Sequence, residues 1–218
     1  MRSYLPILSL AGCLLWQPVS AHVIVGELEK MSAAGAALVY LKLGYEHILP
    51  LGLDHILFVL SLFLLSPKLK PVLWQATAFT VAHSLTLALA MYHLITPPAR
   101  IVESLIALSI LYVALENIFS PRLKKSRVGV VFLFGLVHGL GFAGSLGQLG
   151  LPRQAYLSSL VMFNIGVELG QMTIILAAFF AVGRWFGDKP GYRQKIVIPA
   201  SAAIAAIAAF WSVQRLFF

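Results

Sequence analysis

Cysteine and charge are both scarce in this sequence. Its 218 residues include one cysteine, Cys13, and only 11% of them are charged, against about 25% in ordinary soluble domains. A single cysteine excludes a disulfide bond within the chain. The low charge, together with a mean hydropathy of +0.89, excludes a soluble globular protein. Acidic residues are the rarer charged class: the sequence has eight of them and sixteen lysines and arginines, which gives a net charge of +8.

The common motifs of nucleotide hydrolysis and hydrolytic catalysis are also missing. The sequence has no Gly-x4-Gly-Lys-Ser/Thr phosphate loop, no His-Glu-x2-His zinc motif and no Gly-x-Ser-x-Gly nucleophile motif. We therefore expect a protein that is not an enzyme. The basic residues fall in short clusters between apolar runs rather than along one face, which argues against nucleic acid as a partner.

Uncharged apolar runs of about 20 residues recur along the chain, and this length is typical of membrane-spanning helices. Prolines interrupt the runs and mark the connections between them. The sequence predicts an all-α fold, a polytopic bundle of six transmembrane helices that forms one domain over residues 22–218. The six predicted spans are 50–66, 72–94, 101–119, 128–147, 155–185 and 196–217.

The first 21 residues have the pattern of a cleavable signal peptide. Arg2 precedes an apolar stretch over residues 4–16, and Val19-Ser20-Ala21 supplies the small residues of a cleavage site. A lipoprotein reading competes, because Leu10-Ala11-Gly12-Cys13 would place a lipid on Cys13. After cleavage at residue 21 no cysteine remains, which excludes thiolate metal ligands. Residues 22–46 would begin outside the membrane, with 32–42 in the interface.

The distribution of basic residues predicts the orientation. With the mature N-terminus and the C-terminus on the periplasmic side of the bacterial inner membrane, ten basic residues fall in cytoplasmic loops and five fall outside. This asymmetry follows the positive-inside rule. The ten are Lys68, Lys70, Arg122, Lys124, Lys125, Arg127, Arg184, Lys189, Arg193 and Lys195, and the five are Lys30, Lys42, Arg100, Arg153 and Arg215.

Ionisable residues inside the spans are the candidate functional residues, because each costs at least about 2.5 kcal/mol at a helix centre on insertion scales. We expect an outer group, a middle group and an inner group along the bundle. The outer group is His47, Asp54, His55 and Glu103; the middle group is His83, His138, Asn164 and Glu168; the inner group is Glu116 and Asn117. Gln171 follows Asn164 and Glu168 on one helix face.

Imidazoles and carboxylates without thiolates suit borderline divalent metals such as Ni²⁺, Co²⁺, Cu²⁺ or Zn²⁺. A series of such groups from one side of the bundle to the other is what a metal permeation route requires, because the ion must be bound at each step and still be released. The competing interpretation for each residue is structural, since polar groups also hold membrane helices together. We expect His93 to lie at the membrane interface, and we expect His22, at the mature N-terminus, to have no functional role.

The residues also carry a family resemblance. Gly44-x-Glu-His-Ile-x3-Gly-x-Asp-His55, Ala82-His83-Ser84, Glu103-Ser104, Glu116-Asn117, Phe134-Gly-x2-His-Gly-x-Gly-Phe142 and Phe163-Asn-x-Gly-Val-Glu-x-Gly-Gln171 resemble, in order, the HupE/UreJ family of hydrogenase- and urease-associated proteins regarded as nickel permeases. The resemblance implies six membrane helices, a cleaved signal and a metal site on His47, Asp54, His55, His83 and His138. Nickel as the metal is implied by the family alone.

Three functions remain open at the level of the sequence. The first is transport of a divalent metal ion by a secondary permease that holds no permanent cofactor. The second is a non-transporting accessory protein that works with partners in metalloenzyme maturation. The third is an intramembrane hydrolase that activates water on a bound metal. The expected partners of a transporter are the metal ion and the lipid bilayer, and a homo-oligomer is compatible with all three.

Overall fold

The computed structural model describes residues 32–149 and 156–217, and the regular structure in these ranges is entirely helical. The signal peptide, Cys13, His22, Lys30 and Arg153 lie outside the described residues. There are seven described helices: α1 Ala33–Ile48, α2 Leu53–Leu65, α3 Leu69–Met91, α4 Ala99–Phe119, α5 Arg127–Leu149, α6 Tyr156–Phe186 and α7 Arg193–Phe217.

Five of these helices, α3 to α7, are long and apolar enough to cross a membrane, and α1 and α2 together would make a sixth crossing. The helices of α3 to α7 confirm five predicted spans to within about three residues at each end, as expected where proline marks the boundary. Large apolar side chains cover the outside of the bundle, including Phe119 and Trp74, which are 78% and 68% exposed. This surface suits contact with lipid chains, and the protein is a membrane protein.

The first predicted span, 50–66, is wrong at its beginning. Helical structure begins at Ala33 and is interrupted over residues 49–52, where α1 and α2 meet at a bend of 68°. Pro50 and Gly52 occupy the break. The backbone N–H groups of Leu51 and Gly52 donate to the carbonyl oxygens of Glu46 and Ile48, so the interruption keeps these N–H groups paired, as a membrane protein requires of its buried backbone.

Helix α1 packs along α6. Gly44 faces the backbone of Phe163, and Gly166 faces the backbone of α1 at Leu41; a Cβ at either glycine would collide with those atoms. The corresponding pair on α5 is Gly135 and Gly139, which lie against the backbone of α3. Gly170 lies against α1 as well, at the Ile48 side chain. These glycines are points of close helix approach.

The connections after α2, α4 and α6 lie together at one end of the bundle, which we call the basic end. Tyr192 donates to the carbonyl oxygen of Leu64, and Arg193 donates to the carbonyl oxygens of Asn117, Ile118 and Ser120 at the end of α4. These hydrogen bonds join the three connections. They also satisfy carbonyl groups that the last turn of α4 leaves without a helical partner.

Candidate metal centre

Three histidine side chains meet where the first span is broken. His47 is the next-to-last residue of α1, His55 is the third residue of α2, and His83 approaches from α3. One ligand nitrogen from each lies within 4.8 Å of the other two, and the rings of His47 and His55 are 4.6 Å apart between centroids. We call these three residues the histidine centre. Nitrogens bound to one tetrahedral ion at about 2.1 Å are roughly 3.4 Å apart, so small side-chain rotations would complete a site.

The Nε2 atoms of all three histidines have no hydrogen-bond partner among the described residues. His55 and His83 are 5% and 0% exposed. A buried nitrogen without a partner costs about 1–3 kcal/mol, and here the cost is repeated three times in one place. Unpaired imidazole nitrogens that converge on one space are the arrangement that metal coordination requires.

Asn164 on α6 sets the orientation of the His83 ring. Its Nδ2 donates to the carbonyl oxygen of Leu160 at 2.8 Å, so its Oδ1 is the atom that faces His83 Nδ1, at 3.2 Å. Because Oδ1 can only accept, Nδ1 of His83 carries the proton and Nε2 keeps its lone pair. Outer partners of this kind fix the tautomer of metal-binding histidines.

His138 lies beside the histidine centre, with its ring centroid 5.0 Å from that of His55. The Ser109 hydroxyl donates to the carbonyl oxygen of Ile106 at 2.7 Å and therefore accepts from His138 Nε2 at 2.9 Å. The lone pair of His138 is then on Nδ1, which has no partner within the described part of the chain. His138 is thus available as a neighbouring ligand, although it is not one of the three that converge within 4.8 Å.

Aromatic side chains enclose the four histidines. Phe142 lies 3.9 Å from the His47 ring between centroids, and Phe79 and Phe58 lie 5.0 and 5.2 Å from the His138 ring. Walls of this kind exclude water and lower the local dielectric, which strengthens interactions between an ion and its ligands. Ring contacts bring all four histidines together, whereas the sequence placed His47 and His55 in an outer group and His83 and His138 in a middle group.

The structure does not bring Asp54 to the histidine centre. Both carboxylate oxygens of Asp54 accept from Nη2 of Arg215, at 3.2 and 3.1 Å. Arg215 also donates to the backbone carbonyl of Glu103, whose side chain is exposed. His93 is exposed as well, in agreement with an interface position.

Glu168 and Gln171 continue the face of α6 that carries Asn164, toward the basic end. Glu168 accepts from the Thr77 hydroxyl at 2.7 Å through Oε1, and its buried Oε2 has no hydrogen-bond partner in the described ranges. Gln171 is 0% exposed, and neither its amide nitrogen nor its amide oxygen has a partner there. Such groups mark places where water or an ion can bind.

A second polar cluster, the basic-end network, joins α2, α4, α5 and α7. Arg127 is 1% exposed and pairs with Glu116 at 3.0 Å. It also donates to the Asn117 side chain and to the carbonyl oxygen of Ser61, and Asn117 donates to Ser61 and to Ser201.

The prediction that Arg127 lies in a loop is wrong, because Arg127 is the first residue of α5 and is buried. Two signals in the sequence could have identified the burial of Arg127. It stands directly before an apolar run, and two possible acceptors, Glu116 and Asn117, precede it in the chain. Buried arginine pairs with such groups.

Comparison with known protein families assigns the chain to a family. The family model described as HupE / UreJ protein matches residues 25–215, which include all four histidines of the candidate site. No curated protein and no solved structure matches the chain. The resemblance inferred from the sequence motifs is thereby confirmed, and the chain belongs to the HupE/UreJ family.

Proposed function

We propose that this protein transports a divalent transition-metal cation, with Ni²⁺ as the first candidate, as a permease without nucleotide hydrolysis. The observation that carries the proposal is the convergence of His47, His55 and His83, whose Nε2 atoms are buried and unpaired within the described residues. Neutral imidazoles bind Ni²⁺, Co²⁺, Cu²⁺ and Zn²⁺. Their position at a broken helix inside the bundle supports transport, because many secondary transporters bind their substrates at such breaks.

The proposed topology has six crossings, with α1 and α2 forming one broken span. The basic end faces the cytoplasm of the bacterial cell, since it gathers the cytoplasmic basic residues of the positive-inside assignment. Both ends of the mature chain then lie in the periplasm. The signal peptide over residues 1–21 belongs to the same proposal.

We place the route of the ion along α3 and α6. From the periplasm the ion would pass Asp54, reach the three histidines with His138 as a neighbouring ligand, and continue past Glu168 and Gln171. Asp54 would attract the cation after exchanging its partner Arg215, and Glu103 would add negative charge at the same end. Binding at each step must stay weak enough for release.

A membrane potential supplies the driving force. Each elementary charge that moves across 100 mV gains about 2.3 kcal/mol, and a dication gains about twice that on moving to the negative side. Proteoliposomes that contain a metal-sensing dye and no ATP test this proposal. We expect an inside-negative potential to accelerate Ni²⁺ influx in the wild type and not in His55→Ala, with His93→Ala as the matched control.

The same experiment separates the remaining functions. An accessory protein would bind metal and show no flux under any potential, whereas a metal-dependent hydrolase would show neither flux nor dependence on potential and would require a substrate. Flux that needs ATP, or that His55→Ala leaves unchanged, would contradict the proposal.

A further inference from the structure

An apolar groove lies apart from the histidine centre, between α2, α6 and α7. Its volume is about 730 Å³, and Thr173 supplies the only polar side chain among the residues that line it. Small side chains deepen the groove on both flanking helices. They are Ala177, Ala178 and Ala181 on α6 and Ala200 and Ala203 on α7.

The groove has the length of one membrane leaflet. It extends from Thr173 to Val182 on α6 and from Ile196 to Ile207 on α7, which at 1.5 Å per residue is about 14 to 17 Å. The hydrocarbon core of a bilayer is about 30 Å thick. The groove therefore covers one half of the membrane, and because α6 ends and α7 begins at the basic end, it covers the half on that side.

Exposed basic residues are close in sequence to the lining residues at the basic end of the groove, which we call its mouth. Exposed Arg184 and Lys195 lie within two residues of the lining residues Val182 and Ile196, and Lys189 is exposed in the same connection. Asp188 is the only acidic residue of that connection.

Both flanking helices are widened at the mouth, by the π turns Phe179–Gly183 and Arg193–Val197. Turns of this type are often found at functional sites.

We propose that this groove binds one anionic phospholipid of the leaflet at the basic end. An acyl chain lies along the apolar lining, and the phosphate is held by Arg184 and Lys195. Basic residues at a membrane surface attract anionic headgroups. A second copy of the chain fits less well, because a two-fold contact would bring the same basic mouths together. The proposal is independent of metal transport.

Native mass spectrometry of the purified full-length protein tests the proposal. The probe is an equimolar mixture of phosphatidylglycerol and phosphatidylcholine with identical acyl chains. We expect the wild type to retain one phosphatidylglycerol in preference to phosphatidylcholine. Each of Arg184→Gln and Lys195→Gln should reduce this preference about fivefold, and Ala203→Phe should reduce retention of both lipids by filling the groove.

Ala202→Phe is the matched control, because Ala202 is exposed on the same helix and does not line the groove. It should retain lipid as the wild type does. Equal retention of the two lipids by the wild type, or unchanged retention in Ala203→Phe, would overturn the proposal. A dimer that survives in place of bound lipid, or a retained N-terminal segment that occupies the groove, would overturn it as well.

Discussion

The histidine centre and the basic-end network are both buried polar clusters, but they differ in how their polar atoms are paired. In the basic-end network, Nη1 and Nη2 of Arg127 reach Glu116, Asn117 and Ser61, although Nε of Arg127 and Oγ of Ser61 have no partner among the described residues. In the histidine centre, three imidazoles converge, and their Nε2 atoms have no partners among the described residues. Paired groups hold helices together, whereas converging unpaired lone pairs need a ligand. The comparison therefore separates a structural cluster from a functional one.

Removal of one ligand from the histidine centre should give the largest effect. We expect His83→Ala to lower Ni²⁺ affinity by more than about 100-fold, since loss of an outer partner alone typically costs 10- to 100-fold. Isothermal titration of the purified protein measures the affinity. The metal-free protein should lose some thermal stability, because the buried hydrogen bond from His83 Nδ1 to Asn164 Oδ1 is lost, but it should lose less than Arg127→Ala, which leaves a buried charge unpaired. A collapse of stability with unchanged affinity would make the centre structural.

Arg127→Ala should show the opposite behaviour. Removing one partner of a buried ion pair leaves the other uncompensated and costs roughly 3–5 kcal/mol, so we expect a clear loss of thermal stability in detergent. The folded fraction should still bind Ni²⁺ with wild-type affinity. Lys124→Ala, in the adjacent connection, is the matched control and should change neither quantity. Loss of metal affinity in folded Arg127→Ala would show that the basic-end network contributes to metal binding and would contradict the distinction between the two clusters.

Asn164→Ala should have a smaller effect than loss of a histidine. Without the Asn164 oxygen, the His83 ring loses the partner that fixes its tautomer, and we expect metal affinity to fall by about 10- to 100-fold. Titration at fixed pH measures the change. Unaltered affinity would show that Asn164 serves packing alone.

Gln171→Met should change the thermal stability least of these variants, and any change should be an increase. Replacement of an unpaired buried amide by an apolar side chain of similar shape is neutral or stabilising, so the melting temperature should hold or rise. Ni²⁺ flux into proteoliposomes should nevertheless fall, if Gln171 lines the route. A melting temperature that falls would indicate that the amide has a structural partner.

The sequence predicted α3 to α7 well, because apolar length and proline are local signals that the bilayer makes decisive. It did not predict that helical structure begins at Ala33, because residues 22–46 are less apolar than the predicted spans. The packing of Gly44 against the backbone of Phe163 is a contact with a distant part of the chain, which a local pattern does not reveal. The histidines were identified by the cost of burying them in a membrane, but their convergence depends on the break between α1 and α2, which the sequence did not place.

Asp54 shows what the sequence could not predict about the site. Its spacing from His47 and His55 is compatible with a shared face on a continuous helix, but the break turns α2 so that Asp54 faces Arg215 instead. Arg127 was grouped with the basic residues of the neighbouring loop, whereas its side chain is buried and paired with Glu116. In both cases the deciding information is a long-range partner on another helix.

X-ray absorption at the nickel edge of the Ni²⁺-loaded protein tests the central claim most directly. The account predicts nitrogen neighbours with the outer-shell scattering of about three imidazoles, because the centre offers His47, His55 and His83. In His55→Ala the imidazole contribution should fall by one. An all-oxygen shell in the wild type, or an identical spectrum in His55→Ala, would contradict the assignment of the histidine centre as the metal site.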